Sequence, residues 1–467
     1  MDSRRATPAG AGTRSVPANP NGRYTIRAMS QLLIHGGRVI DPASGFDQTA
    51  DVLICDDVVI EIDRVSPGRD VQRIDAEGCI IAPGLIDVHV HLREPHPDHE
   101  ETIQTGSAAA INGGFTTVCC MPNTQPPIDS VPLVELLRSK GDRAQGARLF
   151  VAGCATKDRR GEQLAAIAGM AKAGAVAFTD DGHCVADASL MDKILRTVHA
   201  AGRCFMQHCQ EPTLTRHADM NAGPLATRLG LTGWPGVAEE IIIERDIRLN
   251  RSIGCRYHAQ HLSSGDSVEI IRRARAEGQP VTAEVTPHHL LLTEDLCDGY
   301  NTMAKVNPPL RTPSDIDHLK AGITDGTITI LATDHAPHPL HHKQVDFADA
   351  AFGIVGLDCA LGLYIKALIG GPDGRGVIDW PAMLAMMTIN PARLLGLDRM
   401  GLGALAVGGP ADVTVIDPQL PWTIDPDEFA SRGKNCPFTG WNVQGRAVAT
   451  IVAGELRLMR AGARAQT

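Results

Sequence analysis

From Leu32 the chain runs as short apolar stretches separated by turns. "LLIHGGRVID", "ADVLICDDVVIEID" and "RIDAEGCIIAPG" are rich in β-branched and aliphatic residues and are bounded by Gly, Pro and Asp, which predicts β-strands. "GPADVTVIDP" and "GRAVATIVAGELRL" repeat that texture near the other end, so the two distant segments are expected to pair into one small β-domain. Between them, strand-like runs alternate with helical stretches such as "VPLVELLRSKG", "GEQLAAIAGMAKAG", "ASLMDKILRTVHAAG" and "DSVEIIRRARAEG". Alternation over about 310 residues predicts a parallel sheet, and the length fits an α/β fold of the (β/α)8 TIM-barrel type, with a doubly wound open sheet as the second architecture allowed. No fixed-period repeat points to a solenoid. The expected division is residues 1–29 as a disordered extension, 30–83 and 396–460 as the two parts of a β-sandwich, 84–395 as the barrel, and 461–467 as a tail.

Residues 1–29 are rich in Ala, Gly, Pro, Arg and Ser and carry too little apolar surface to fold. An Arg-rich, acid-poor composition also suits a transit peptide, but Pro and Gly spoil an amphipathic helix, so a disordered extension or a start at Met29 is expected. Hydrophobic residues at 43% and charged residues at 21%, with no long uninterrupted apolar run, argue for a soluble globular protein without a membrane span. The 54 acidic residues outnumber the 44 basic ones, for a net charge of −10, which leaves no basic field to recruit nucleic acid. Twelve cysteines are scattered without Cys-x-x-Cys spacing or a secretory leader, so a reducing cytoplasm with free thiols is expected. The adjacent Cys119 and Cys120 lie in an apolar strand and read as small core residues.

Candidate chemistry concentrates in "GLIDVHVHLREP". Strand side chains alternate between faces, which places Ile86, Val88, Val90 and Leu92 on one and Asp87, His89, His91 and Arg93 on the other. A barrel would turn that second face inward. Burying such groups without partners costs several kcal/mol, and a metal ion makes two imidazoles two residues apart a favourable arrangement. An exposed edge strand is the alternative, but the apolar opposite face argues against it.

Further candidates end later apolar runs. In "GAVAFTDDG" the bulky Val176 and Phe178 should meet helices, leaving Asp181 to point into the barrel mouth, where barrel active sites sit. A lone Asp-Asp-Gly more often marks only a turn, so this site depends on the others. "RCFMQHCQE" ends with His208, and "RYHAQHLSS" carries His258 and His261, of which one can face inward because they differ by three positions. "ITILATDHAPH" brings Asp334, His335 and His338 to the end of another run. A carboxylate there could ligate an ion and move a proton. It could equally form an Asx-type turn before Pro337.

With these segments in this order, the chain resembles the bacterial class I dihydroorotases of the amidohydrolase superfamily. The resemblance runs from about Leu32 to Leu458 and rests on "DVHVHLREP", "GFTTVCCMPNT", "AVAFTDDG", "HCQE", "AQHLSS", "VNPPLR", "ATDHAPH", "FGIVGL" and "TINPARLLGL". It implies two divalent ions, Zn2+ by donor type, though Co2+ or Mn2+ suit the same ligands. His89 and His91 would hold the more buried ion, His208 and His261 the more exposed one, and Asp181 would bridge. Asp334 would ligate and act as general base and acid. The implied substrate contacts are His91, Arg93 and Asn123, Asn307, His338, and the backbone at Phe352 and Gly353. Arg93 suits its part because its planar fork can hold a carboxylate bidentately.

The implied reaction is reversible cyclisation of N-carbamoyl-L-aspartate to L-dihydroorotate and water in de novo pyrimidine (UMP) biosynthesis, through a hydroxide shared by the two ions. Hydantoinases, dihydropyrimidinases and allantoinases are the competitors. They generally bridge their ions with a carboxylated lysine, where this chain has Asp181, with Lys157 and Lys172 in preceding segments. A non-catalytic partner of aspartate carbamoyltransferase is disfavoured because every expected ligand is present. Association with that enzyme, or as a homodimer, enters only as something the family allows. The histidines of "REPHPDHEE", His96 and His99, receive no role, and the polar "HAPHPLHHKQVDFADAAFG", with His341, His342 and Lys343, is expected to be a mobile lid.

Overall fold

The computed structural model describes residues 30–66, 71–96, 99–370, 376–460 and, as backbone, 464–466. The expectation for residues 1–29 lies outside the described residues.

Strands from both ends of the chain meet in one sheet. β1 (Gln31–Asp41), β2 (Phe46–Cys55), β3 (Val58–Asp63), β4 (Gln72–Asp75) and β5 (Ile80–Pro83) come from the N-terminal side. The barrel supplies β6 (Leu85–Val90), β7 (Phe115–Cys120), β8 (Arg148–Gly153), β9 (Ala177–Phe178), β10 (Cys204–Gln207), β11 (Arg256–Ala259), β12 (Val281–Val285) and β13 (Ile330–Leu331). After it come β14 (Val413–Thr423), β15 (Asn442–Val452), β16 (Glu455–Met459) and β17 (Arg464–Gln466). The terminal strands form a nine-stranded sheet in the order β16-β15-β14-β5-β1-β2-β3, with β4 also against β1 and β17 against β4. β17 thus gives strand structure to part of the segment set apart above as a tail. Leu32, Ile34, Val39, Val52 and Ile54 pack there against Val413, Val415, Val448 and Ile451, all buried. Each such side chain contributes about 1.5–3 kcal/mol by leaving water.

The eight barrel strands are parallel and neighbour one another in chain order. Closure between first and last is made by a bridge of Val90 to His335, by His91 N–H donating to His335 O at 2.8 Å, and by Thr333 N–H donating to the Asp87 carboxylate at 3.2 Å. Helices Ile103–Gly113, Val131–Ala144, Ala188–Ala200, Val237–Asn250, Gly265–Ala276 and Pro313–Thr324 fall between the strands. Val118, Val151, Phe178, Phe205 and Tyr257 belong to the core layer shared with their apolar faces. A second layer joins Ile86, Val88, Met121, Ala177, Met206 and Ala332 to Leu394 and Leu395 of helix Ile389–Leu395. Barrel and β-domain meet at Gly114, the left-handed cap of helix Ile103–Gly113 (φ 92°), whose carbonyl accepts from Thr414 Oγ1 at 2.7 Å. A Cβ at Gly114 would stand 2.7 Å from that of Ala447, so both conformation and space require glycine.

The first barrel strand departs from simple alternation. Its register against β7 shifts between Asp87, opposite Val118, and Val90, opposite Cys120: a bulge. Ile86 and Val88 therefore pack in the layer with Met206 and Leu394, whereas Val90 and Leu92 pack in the helix-facing layer. The four residues expected on one apolar face divide between two. The expected polar face divides too, since Asp87 is buried and accepts from the backbone of His89 and Thr333 instead of facing the cavity.

Candidate active site

Residues far apart in sequence converge at the barrel mouth. His89 and His91 leave β6, Asp181 follows β9, His208 follows β10, His261 follows β11, and Asp334 follows β13. All six are buried. His89 Nε2 stands 3.4 Å from both Asp181 Oδ1 and Asp334 Oδ1. His91 Nε2 lies 2.9 Å from Asp334 Oδ1 and 3.5 Å from Asp181 Oδ2. His208 Nδ1 and His261 Nε2 are 2.8 Å apart, at 3.8 and 3.9 Å from Asp181 Oδ1. Asp181 is therefore the carboxylate common to four imidazoles. Arg93, His261 and Asp334 hold positive φ (63°, 30° and 46°), a conformation that costs non-glycine residues energy and recurs at functional sites.

Outer partners set which ring nitrogen faces the centre. His89 Nδ1–H donates to Glu284 Oε1 at 2.6 Å, His91 Nδ1–H to Asn123 Oδ1 at 2.8 Å, and His208 Nε2–H to Gln210 Oε1 at 2.9 Å. Each bond leaves the opposite nitrogen to the cluster, as metal-ligating histidines require. His258, the alternative to His261, instead donates through Nε2 to Glu284 Oε2 at 2.9 Å and lies against Thr282. His335 accepts at Nδ1 from the backbone N–H of Gly356 at 3.2 Å and stands off the cluster.

Electrostatics prepare the donors. Burial pushes the His208 and His261 imidazoles down, His261 to about 3 with His208 adding to the effect, so both are neutral near pH 7. Burial pushes the Asp181 and Asp334 carboxyls up, but the surrounding imidazoles outweigh it and hold both below the usual carboxylate range. For His89 burial acts downward, yet Asp181, Glu284 and Asp334 raise it well above the ordinary histidine value. A cation is what this arrangement needs. The fully buried His89 Nε2 makes no hydrogen bond although two ionised carboxylates face it. Ligand atoms of His89, His91 and Asp334, and of His89, Asp181 and His261, lie within 4.8 Å of one another in each set, which suits a divalent ion.

Above the cluster a cavity of about 260 Å3 is lined by His91, Arg93, Asn123, Asp181, His208, His261, Asn307, Asp334, His338, Phe352 and Gly353, together with Arg159, Gly182 and Ala336. Of the ion ligands and substrate contacts that the resemblance implies, only His89 is absent from the wall, being fully buried. Arg93 is anchored through Nε and Nη2 to Pro337 O at 3.2 and 3.1 Å and through Nε to Glu100 Oε2 at 3.2 Å; Nη1 takes no part in these bonds. Asn307 Oδ1, His338 Nδ1 and Arg159 Nε are buried without hydrogen-bond partners. Gly353, at φ 140°, brings backbone close to His338, where an added Cβ would meet Ala336 O at 2.9 Å. The segment expected as a lid is tied down at Lys343, whose buried ammonium donates to Lys305 O at 2.8 Å and Thr302 O at 3.2 Å.

Three residues the sequence reading passed over matter here. Arg159 reaches the cavity wall and donates to Asp181 O at 2.6 Å. Glu100 pairs with Arg93. Glu284 joins His89, His258 and the backbone N–H of His261. Its signal was present: a lone carboxylate inside the apolar strand "VTAEV" demands a buried partner. Burial pushes the Glu284 carboxyl up, but His89 and His258 hold it at about 2, so it stays ionised at neutral pH. Glu284→Gln, which keeps the shape and removes the charge that orients His89, is expected to weaken divalent-ion affinity about 10- to 100-fold. Competition with a chromophoric chelator measures this, and unaltered affinity would contradict the positioning role.

The barrel and its histidine–aspartate cluster define a class, the metal-dependent amidohydrolases. Residues 78–267 match the dihydro-orotase-like family model and residues 299–457 that of the amidohydrolase family. Over 426 residues the chain is 43% identical to the dihydroorotase of Syntrophotalea carbinolica, covering 91% of this chain and 98% of that protein. It is equally 43% identical to the dihydroorotase of Citrifermentans bemidjiense, covering 91% and 99%. The chain belongs to the dihydroorotase family. Solved structures similar to it include L-hydantoinase (dihydropyrimidinase) from Arthrobacter aurescens, with a TM-score of 0.82 at 25% identity over 94% of this chain and 98% of that one. Dihydropyrimidinase from Brevibacillus agri shares the fold at a TM-score of 0.78 and 21% identity, over 92% and 95%. The fold is thus common to both activities, and the sequence relatives distinguish them.

Proposed function

We propose that this chain is a dihydroorotase that interconverts N-carbamoyl-L-aspartate and L-dihydroorotate in the cytoplasm. The observation that carries this reading is the position of Asp334. Its carboxylate lies 2.9 Å from His91 Nε2, on the wall of a cavity that also presents Arg93, Asn123 and His338. His89, His91, Asp181, His208, His261 and Asp334 would hold two divalent ions, Zn2+ by donor type, with Asp181 shared between them. Such ions supply a nucleophilic oxygen at neutral pH and polarise the amide carbonyl.

The protein's own groups do the rest. In the hydrolytic direction Asp334 takes the proton of the attacking water and delivers it to the ring nitrogen as the carbon–nitrogen bond breaks. In the cyclising direction the same carboxyl runs the transfer in reverse. Arg93 and Asn123 hold the ring carboxylate, while Asn307, His338 and the backbone at Phe352 and Gly353 orient the ring. The unpartnered Asn307 Oδ1 is a polar atom to which a ring N–H can bond.

Dihydroorotate hydrolysis followed in the ultraviolet, with hydantoin, dihydrouracil and allantoin in parallel, tests the assignment. Preference for another of these amides would overturn it. Arg93→Lys gives a finer check, because a flexible ammonium replaces a guanidinium held in place through Nε and Nη2 with Nη1 left for the carboxylate. About 1.5–3 kcal/mol for a charged hydrogen bond converts to a roughly 10- to 100-fold loss in kcat/KM on dihydroorotate, carried mainly by KM. Residual turnover of dihydrouracil, which lacks the carboxylate, is expected to be unchanged; an equal loss on both substrates would remove Arg93 from carboxylate recognition.

A further inference from the structure

His99 and His342, two histidines left without a role in the chemistry, meet in space although 243 positions separate them. The His99 and His342 rings stand edge to face with centroids 6.4 Å apart, and Glu100 lies beside them. One ligand atom from each of His99, Glu100 and His342 falls within 4.8 Å of the other two. From these contacts we infer that the cavity mouth holds a third divalent-cation site, formed by His99, Glu100 and His342 and separate from the catalytic cluster.

The geometry around Glu100 supports a cation over simple hydrogen bonding. Its Oε2 is taken by Arg93 Nε at 3.2 Å, which leaves Oε1 facing His342 Nδ1 and His338 Nδ1, each at 3.4 Å. His338 Nδ1 makes no hydrogen bond. Metal bonds of about 2.0–2.2 Å in a tetrahedron place neighbouring ligand atoms about 3.4 Å apart, so Glu100 Oε1 and His342 Nδ1 already have the spacing of co-ligands. Two imidazoles with one carboxylate select a borderline ion such as Zn2+ over Mg2+ or Ca2+.

Burial ranks this site below the catalytic one. Glu100 is buried, His342 half-buried and His99 exposed, so the remaining coordination position opens to solvent and the ion exchanges freely. The consequence runs through Glu100, which is also the counter-ion of Arg93. An ion on Oε1 draws charge from the carboxylate and leaves the guanidinium freer to meet a substrate carboxylate. Occupancy therefore lowers KM for a carboxylate-bearing ring.

The test uses tag-free holoenzyme carrying its catalytic ions, dialysed against increasing free Zn2+ with bound metal read by inductively coupled plasma mass spectrometry. Wild type is expected to take up one ion per chain beyond the catalytic set. His99→Gln, His342→Gln and the double variant should lose that ion and keep the rest, while His96→Ala, which removes an exposed histidine outside the group, should keep it. Uptake that persists in the double variant, or no uptake by wild type, overturns the site. Titrating the same ion into the assay is expected to lower KM for dihydroorotate several-fold in wild type and not in the double variant; a KM that does not respond overturns the coupling to Arg93. Because metal uptake is counted without turnover, failure here is distinguishable from failure of the dihydroorotase assignment.

Discussion

Asp334→Asn is expected to lower dihydroorotate turnover by about 10²- to 10⁴-fold, the range lost when a positioned acid–base group is removed. The substitution is nearly isosteric and keeps an oxygen near His91 and His89, where Asp334 Oδ1 now stands at 2.9 and 3.4 Å. Bound metal should therefore stay close to wild type while the proton carrier is gone. Metal analysis and the ultraviolet assay on one preparation separate the two effects. Near-normal turnover with metal retained would remove Asp334 from the proton path, and loss of metal in step with activity would reduce it to a ligand.

Asp181→Ala should be as damaging by another route. The carboxylate lies 3.4 to 3.9 Å from the facing nitrogens of His89, His91, His208 and His261, so its removal takes away the negative charge shared by both halves of the cluster. His89 Nε2, 3.4 Å from Asp181 Oδ1, would lose one of the two carboxylates that face it beside the ion. The variant is expected to come through dialysis with less than one ion per chain and with activity at background. Breaking a buried charged pair costs about 3–5 kcal/mol, so its thermal midpoint should fall as well. Two ions retained per chain would show that the bridge lies elsewhere.

Much of this site could be read along the chain. Histidines two apart on an apolar strand declared a buried polar pair needing a partner, and His208 and Asp334 each ended a run where a strand meets its loop. Asp181 was weaker, because Asp-Asp-Gly is also ordinary turn chemistry. Spacing left His258 and His261 undecided; in three dimensions His258 turns to Glu284 while His261 joins the cluster. The bulge in Leu85–Val90 escaped the reading altogether, since alternation assumes an unbroken ladder and the register shift arises from pairing with β7.

Hydrophobic patterning and turn residues by themselves determined the run of strands and helices, the strand-bearing segments at both ends of the chain, and the residue types able to bind a divalent ion. Those features depend on neighbours within a few positions, which local sequence encodes. Only the tertiary structure decided which of them touch. His91 meets Asp334 across 243 positions and His89 meets Glu284 across 195, through barrel closure and strand order. The mouth follows the same rule, where His99 and Glu100 find His342 only because one loop lies against another. Long-range contact is set by how whole elements pack, and that packing depends on the sum of many buried surfaces instead of on any one motif.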